Sequence, residues 1–282
     1  YKRILTGFPV TQSPLDLYSQ SEFLCSQLLG YSSFYTFQNH YAKVINRNMG
    51  QRTFRQVVGY QNLDELSDKV NQFSYRVLKK DCLDLPDKVY QKREVELTPE
   101  QKKVYNQIKD YAIAELESSE IVSVSSVLTQ ILRLHQVTCG FVKHDEGEEI
   151  KRILKTLHDI VGVDAVATYY GGTPEEERQP IIDRFQDPNS SLQYLISNTQ
   201  TGGYGITLHQ ASNVVYYSNN YDLEKRLQSE DRAHRIGQVN KVTYIDLISK
   251  DTVDEKIVKA LRNKLNLAQE VLGDDKWKDW IG

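Results

Sequence analysis

The second half of the chain alternates between strand-like and helix-like segments, and this alternation constrains the fold more than any other feature. Short apolar segments are separated by residues with helical spacing or by a glycine-rich loop. The strand-like segments are residues 164–172, 192–198, 213–219 and 241–249. Strands joined in this way need right-handed crossovers and form a mostly parallel sheet, with ligands at the carboxyl ends of the strands. The sequence therefore predicts an α/β fold.

The first half is predicted to be more helical. Thr98 and Gln101 form a capping box with Pro99 at the first helical position, so a helix is expected to begin there and to pack against a second helix as an antiparallel hairpin. Other predicted elements are a short strand at 3–7, helices at 15–29 (closed by Gly30), 62–80, 125–139 (closed by Gly140), 151–162 and 252–272, and a strand at 88–98.

Composition excludes several classes of protein. No apolar run approaches the roughly 18 residues of a transmembrane helix, and the first ten residues do not resemble a signal peptide. The three cysteines are far apart and no Cys/His cluster occurs, so neither a disulfide framework nor a zinc site is indicated. We expect an intracellular protein with no membrane partner. The net charge of −3 still allows a basic stripe on one face.

Two segments contain residues suited to phosphate chemistry. The loop SNTQTGGYGITL (197–208) has glycines that let the backbone approach an anion, although a tight turn without a ligand explains them too. The segment QSEDRAHRIGQ (228–238) contains Arg232 and Arg235, whose guanidinium groups are suited to phosphate oxygens. An ion-paired, solvated helix face is the alternative. In the phosphate interpretation, both arginines project from a loop at the ligand edge of the sheet.

Taken in chain order, six segments resemble the Swi/Snf-type family of DNA-translocating ATPases in helicase superfamily two. The segments are LTGFPV, KKDCLDLPDKVYQKREVELTPEQKKVY, LRLHQVTCGF, TYYGGTPEEERQPIIDRFQD, SNTQTGGYGITLHQASNVVYYSN and LQSEDRAHRIGQ. The resemblance covers nearly the whole chain, and DRAHRIGQ is its most specific part. It implies two RecA-like lobes with ATP and Mg²⁺ bound between them, mainly by the first lobe. Residues 1–80 would end the first lobe, 81–150 would form a linking strand and helical protrusion, and 151–282 would form the second lobe.

The resemblance also assigns roles to individual residues. LTGFP matches motif III, in which Thr6 and Gly7 couple nucleotide state to lobe movement and Phe8 replaces the usual threonine. The glycine loop matches motif V, and QSEDRAHR matches motif VI with Arg232 and Arg235 as arginine fingers. The implied catalytic residues are Gln228, Arg232 and Arg235, and the implied nucleotide contacts are Gly203, Gly205, Asp231, Arg232 and Arg235. The implied contacts to the duplex DNA backbone are Gly171, Gly172, Thr173 and Thr199.

The sequence has no GxxxxGK[ST] loop and no acidic box on a buried strand. We therefore expect a partial chain that needs a preceding RecA-like lobe for ATP hydrolysis, with further residues missing around Val142 to Ile150, where the family has a strand. The helical insertions are candidates for binding a protein partner. Two alternatives remain open: a non-catalytic DNA-binding or regulatory module with the same lobe, and another superfamily-two helicase or restriction motor.

Overall fold

The computed structural model describes residues 1–49, 52–118, 124–140, 146–199 and 205–272. The helices are α1 (Asp16–Leu24), α2 (Phe34–Tyr41), α3 (Leu63–Asn71), α4 (Lys79–Cys82), α5 (Pro99–Ser118), α6 (Val124–Thr138), α7 (Glu146–Val161), α8 (Glu175–Gln186), α9 (Leu223–Ala233) and α10 (Val253–Leu272). The strands are β1 (Ala42–Met49), β2 (Arg52–Tyr60), β3 (Lys88–Val95), β4 (Val166–Tyr169), β5 (Tyr194–Ser197), β6 (Asn213–Tyr216) and β7 (Val242–Ser249). No helix in these ranges is long and apolar enough to cross a membrane.

Parallel pairing dominates the second half of the chain, which confirms the predicted α/β class. Strands β3, β7 and β6 form one parallel sheet with β7 in the centre, and β4 pairs with β5 in a second parallel sheet. The alternation predicted a single sheet, but its strands form two separate parallel sheets among the described residues. Strand β3 joins β7 across a long sequence separation, with Lys88 opposite Val242.

The central strand β7 and helix α10 supply most of the core under the three-stranded sheet. Alternate residues of β7 are fully buried, as expected for a strand that is covered on one face and flanked on both edges. Helix α10 buries residues three and four apart, which is the spacing of one helical face. The cluster between α9, β7 and α10 contains Leu223, Leu227, Ile248, Val253, Ile257, Val258, Leu261 and Leu265.

The first 80 residues differ most from the sequence prediction. Residues 3–7 form no strand and are mostly well exposed. The helix predicted for 62–80 is interrupted after Asn71 and resumes only as the four-residue α4. Helix α1 ends at Leu24, so Gly30, with φ of +83°, lies in a later turn and does not close it. The antiparallel hairpin of β1 and β2 was not predicted.

The N-terminal helices are tied to the rest of the fold through a second core. Phe37, Tyr41 and Leu66 are fully buried in it, and Ala268 and Val271 at the end of α10 complete it. Aromatic rings supply much of this core. The rings of Phe37 and Tyr41, for example, pack with their centroids 4.8 Å apart. Contacts between aromatic rings contribute stability beyond the area that they bury.

The predicted capping box is confirmed. The Thr98 amide donates to Gln101 Oε1 (3.0 Å), and the Gln101 amide donates to Thr98 Oγ1 (3.3 Å). Gln101 Nε2 also donates to the Val137 carbonyl near the end of α6, as the predicted antiparallel α5–α6 hairpin requires. Gly140 follows α6 with φ of +84°, as expected for a residue that closes a helix. Of the region around Val142 to Ile150, where missing residues were expected, 141–145 lie outside the described ranges and 146–150 belong to α7.

Candidate functional site

Helix α9, which carries the DRAHR segment, is held on the sheet by a buried ion network. Arg226 is 3% exposed and donates from both terminal nitrogens to the Asp246 carboxylate of β7, with Nη2 3.0 Å from Oδ2. Arg226 Nε also donates to Glu230 Oε1 at 3.0 Å, one helical turn further along α9. The guanidinium carbon lies 3.4 Å from the centre of the Tyr216 ring on β6. A planar guanidinium is suited to this combination of bidentate pairing and stacking.

The same network reaches strand β3 through Glu230, which is completely buried. Its Oε2 accepts from Tyr90 (2.7 Å) and from Lys88 (3.2 Å). Burial by itself would raise the pKa of Glu230, but the charges of Lys88 and Arg226 outweigh it and hold the pKa below the usual value. Glu230 is therefore a carboxylate in the folded protein, and it links α9 to both β3 and β7.

Arg232 and Arg235 lie at the carboxyl end of α9. Because the network holds α9 on the sheet, it also fixes the position of the backbone from which these two side chains extend. Arg232 is half-buried in the last turn, and Arg235 is exposed just beyond it. Burial lowers the pKa of Arg232, the nearby charge of Arg235 lowers it further, and Asp231 offsets part of the shift. The positive charge of Arg235 therefore disfavours the charged form of Arg232.

The expected position of these arginines at the carboxyl edge of the sheet is wrong. Asp231 pairs with Lys88, the first residue of β3, and His234 contacts the Pro86 carbonyl just before that strand. The arginine end of α9 thus lies where the strands begin. A crossover helix runs antiparallel to the strands it connects, so its carboxyl end returns to their amino edge.

The carboxyl end of the glycine loop and the residues after it are bonded directly to this end of α9. The Leu208 amide donates to the Arg232 carbonyl (2.9 Å), and Gln238 Nε2 donates to the carbonyls of Ala211 (3.0 Å) and Ala233 (3.2 Å). Gly205 is exposed with φ of +72°, a conformation that favours glycine. The structure therefore brings Gly205 and the two arginines into one region, while Gly203 lies outside the described residues.

The predicted DNA-backbone residues lie together at the carboxyl edge of the other sheet. Tyr169 and Ser197 are partners at the ends of β4 and β5, so Gly171 and Gly172 follow one strand and Thr199 follows its neighbour. Both glycines are exposed and Thr199 is half-buried. These positions can present backbone amides and a hydroxyl to a ligand at that edge.

Thr173 is the least accessible of these predicted contacts. Its side chain is buried, with 6% exposure, and its hydroxyl donates to the Thr168 carbonyl (3.3 Å) and accepts from the Tyr170 amide (3.0 Å). In this conformation the hydroxyl stabilises the turn after β4. A role for Thr173 in DNA binding stays a prediction.

The remaining predicted residues are distributed around α9 and the N-terminus. Gln228 is half-buried and donates to Glu224 (2.9 Å), and Asp231 pairs with Lys79 of α4 (2.7 Å). Thr6 and Gly7 are exposed, and the Thr6 hydroxyl accepts from the Phe8 amide (3.1 Å). The Phe8 ring packs against the core beneath α9 and α10.

The described ranges contain no group of three or more His, Cys, Asp or Glu that could hold a metal ion.

Comparison with known proteins identifies the family. Residues 1–141 match the SNF2-related domain, and residues 123–237 match the helicase conserved C-terminal domain. The chain belongs to the SNF2-related family. It is therefore a Swi/Snf-type helicase ATPase region, and the resemblance drawn from the motifs is confirmed.

Individual relatives of this SNF2-related chain are much longer proteins. It is 26% identical over 355 residues to TATA-binding protein-associated factor MOT1 of Saccharomyces cerevisiae, over 96% of this chain and 19% of that protein. It is 43% identical over 112 residues to ATP-dependent helicase fft2 of Schizosaccharomyces pombe, over 40% of this chain and 9% of that protein. The chain thus spans less than a fifth of the length of either relative.

A solved structure is similar over most of the SNF2-related chain. The Sulfolobus solfataricus SWI2/SNF2 ATPase core in complex with dsDNA superposes with a TM-score of 0.52 at 25% identity, over 92% of this chain and 60% of that one. The roles of the individual site residues, and the division of the chain at residues 80 and 150, stay predictions.

The buried network around Arg226 was not predicted from the sequence of this SNF2-related chain. Two signals for it are present: Arg226 and Glu230 are one helical turn apart, and Asp246 is the only charged residue in the segment that forms β7. A charged residue at a buried strand position needs a partner of opposite charge, because an unpaired buried charge is costly. That reasoning would have pointed to a partner on a neighbouring helix.

The half-buried His234 is expected to make the stability of this SNF2-related fold depend on pH. Its Nε2 donates to the Pro86 carbonyl (2.7 Å), and burial together with Lys88 and Lys79 lowers its pKa, while the Pro86 bond and Asp231 oppose the shift. A lowered pKa means that His234 stabilises the fold above its ordinary pKa of about 6.5, and that this stabilisation is lost as pH falls through the folded value.

We therefore expect the melting temperature to fall between about pH 7.5 and about pH 5, and to fall less in His234→Gln, because glutamine can donate the same bond without titrating. Differential scanning fluorimetry of both proteins at matched salt measures the difference. An equal drop in wild type and variant would contradict the assignment.

Proposed function

We propose that this chain is the part of an ATP-dependent, double-stranded DNA translocase that supplies the arginine fingers to an ATP site shared with another RecA-like lobe. The observation that carries the proposal is the hydrogen bond that joins the carboxyl end of the glycine loop to the arginine end of α9, from the Leu208 amide to the Arg232 carbonyl. In this interpretation the glycine loop and the end of α9 are joined, so that the same part of the chain contacts both the nucleotide and the DNA.

The charges at the end of α9 fit a nucleotide. The charge of Arg235 contributes to the lowered pKa of Arg232, and phosphate oxygens beside the two side chains would relieve that repulsion. Bound Mg²⁺-ATP supplies the phosphoryl group that is transferred to water. The two guanidinium groups orient the terminal phosphate and stabilise the charge that develops on it. The phosphate cradle and the metal-binding carboxylates belong, in this proposal, to the other lobe.

A second set of contacts connects the predicted DNA-binding turn to the arginine end of α9. Ile206 and Leu208 pack against Tyr169 and Ile182 of the β4–β5 unit, while the same segment is bonded to α9. Movement of the Gly171–Gly172 turn on a DNA backbone would therefore be transmitted through packed side chains to the end of α9. Such contacts carry little sequence information, because they reach phosphates and not base edges.

The test is steady-state ATP hydrolysis by this chain together with its first lobe, with and without duplex DNA. We expect duplex to stimulate turnover, with little dependence on base sequence and a steep loss of DNA affinity as salt rises, because backbone contacts release condensed counterions. Single-stranded DNA of equal length is the matched control. DNA binding without stimulated hydrolysis would favour a non-catalytic module, and a strong sequence preference at matched salt would count against backbone tracking.

A further inference from the structure

A long stretch of the chain contains basic residues and no acidic ones. Residues 23–63 include no Asp or Glu, although the whole chain has 38 such residues and a net charge of −3. The basic residues in this stretch are Lys43, Arg47, Arg52 and Arg55, and all four lie on the β1–β2 hairpin. The hairpin is therefore a concentrated positive element on an otherwise acidic chain.

The hairpin is exposed on both faces over most of its length. Its register pairs Ile45 with Gln56 and Arg47 with Phe54, and each of these four residues is exposed. Among the hairpin residues whose burial the structure describes, only Ala42 at its base is buried. Strands of eight and nine residues extend for about 25 Å, so the hairpin can reach well beyond that core.

Arg55 fixes one face of the hairpin to helix α2. Its guanidinium lies 4.3 Å from the centre of the Tyr35 ring, and Nη2 donates to Asn39 Oδ1. Adjacent residues of a strand point to opposite faces, so Phe54 and its partner Arg47 lie on the face turned away from that anchor. This outer face presents a cation beside an aromatic ring that is 43% exposed.

We propose that the outer face of the β1–β2 hairpin binds the phosphate backbone of duplex DNA, at a site separate from the Gly171–Thr199 edge. Arg47, with Lys43 at the base, contacts phosphates, and Phe54 packs against the sugar backbone between them. A uniformly anionic polymer fits this surface better than a folded protein does, because no acidic residue is present along the hairpin to pair with a partner's cations. The inference rests on the proposed function only in taking duplex DNA as the ligand.

The test compares two double variants that each remove two exposed positive charges. Lys43→Gln/Arg47→Gln alters the hairpin, and Lys256→Gln/Lys259→Gln alters exposed positions of α10 as the matched control. Binding of a fluorescent duplex is measured by anisotropy over a range of salt concentrations, with urea unfolding to verify that each variant is folded. We expect the hairpin variant to bind roughly tenfold more weakly on all sequences, with a slope of log K against log salt about 1 to 2 less steep. The control should match wild type.

The outcomes separate this inference from the proposed function. If the wild type binds duplex and the hairpin variant keeps both its affinity and its salt slope, the hairpin contact is overturned while the proposed function stands, and an acidic protein becomes the better occupant. If the wild type itself does not bind duplex DNA, both fail. Charge reversal in Arg47→Glu gives a second measurement, and it should weaken binding more than Arg47→Gln does if the contact is to phosphate.

Discussion

Replacing Arg226 with methionine is expected to lower the free energy of unfolding by about 3–5 kcal/mol. Arg226 is 3% exposed and forms ion pairs with Glu230 and Asp246, both completely buried. The variant would leave the carboxylates of Glu230 and Asp246 in the core without the guanidinium that bridges them, while Lys88 still pairs with Glu230. The cost is that of uncompensated buried charge, since methionine fills a similar volume.

Urea unfolding followed by circular dichroism measures the effect. Lys241→Met is the matched control, because Lys241 and Asp87 form an ion pair in which both side chains are mostly exposed, and such pairs contribute little. Arg226→Lys should fall between wild type and methionine, because it keeps the charge and loses the bidentate geometry. If Arg226→Met were as stable as the control, the network would not be what holds α9 in place.

The same network explains why the sequence predicted the elements of the second half better than the arrangement of the site. Strands β4 to β7 and their helices follow from short apolar segments that alternate with segments of helical spacing. The position of Arg232 and Arg235 does not follow from periodicity. It depends on Glu230 and Asp246, whose charges are normally a sign of a solvated face. In the folded chain these two carboxylates pair with Arg226 and hold α9 on the sheet, which places the arginines at the amino edge of the strands.

The hairpin of β1 and β2 was missed for a related reason. Strand prediction relies on one half-buried face, and the segment around Ile45 and Phe54 is exposed on both faces, so its apolar and polar residues do not report burial. Its stability comes from cross-strand pairs and from the Arg55 contacts with α2. Charge, not periodicity, was the informative pattern in this part of the chain.

Arg235→Ala is expected to lower duplex-stimulated ATP hydrolysis by about three to five orders of magnitude, the range measured for removal of an arginine finger. The side chain is exposed just beyond α9, and it is not part of the contacts that hold the helix on the sheet. Substitution at such a position changes stability by no more than about 0.5 kcal/mol. A loss of turnover would therefore report on the nucleotide and not on folding.

The measurement is single-turnover hydrolysis by the chain with its first lobe at saturating duplex, beside a separate duplex-binding titration. Arg184→Ala, at an exposed position of α8, is the matched control and should retain wild-type turnover. Arg235→Lys should restore little, since an ammonium group lacks the planar fork that contacts two phosphate oxygens. Because the contact is made to the nucleotide, duplex affinity should be unchanged in all three variants. Retained stimulation in Arg235→Ala would move the finger role to Arg232, whose carbonyl joins the glycine-loop segment to α9.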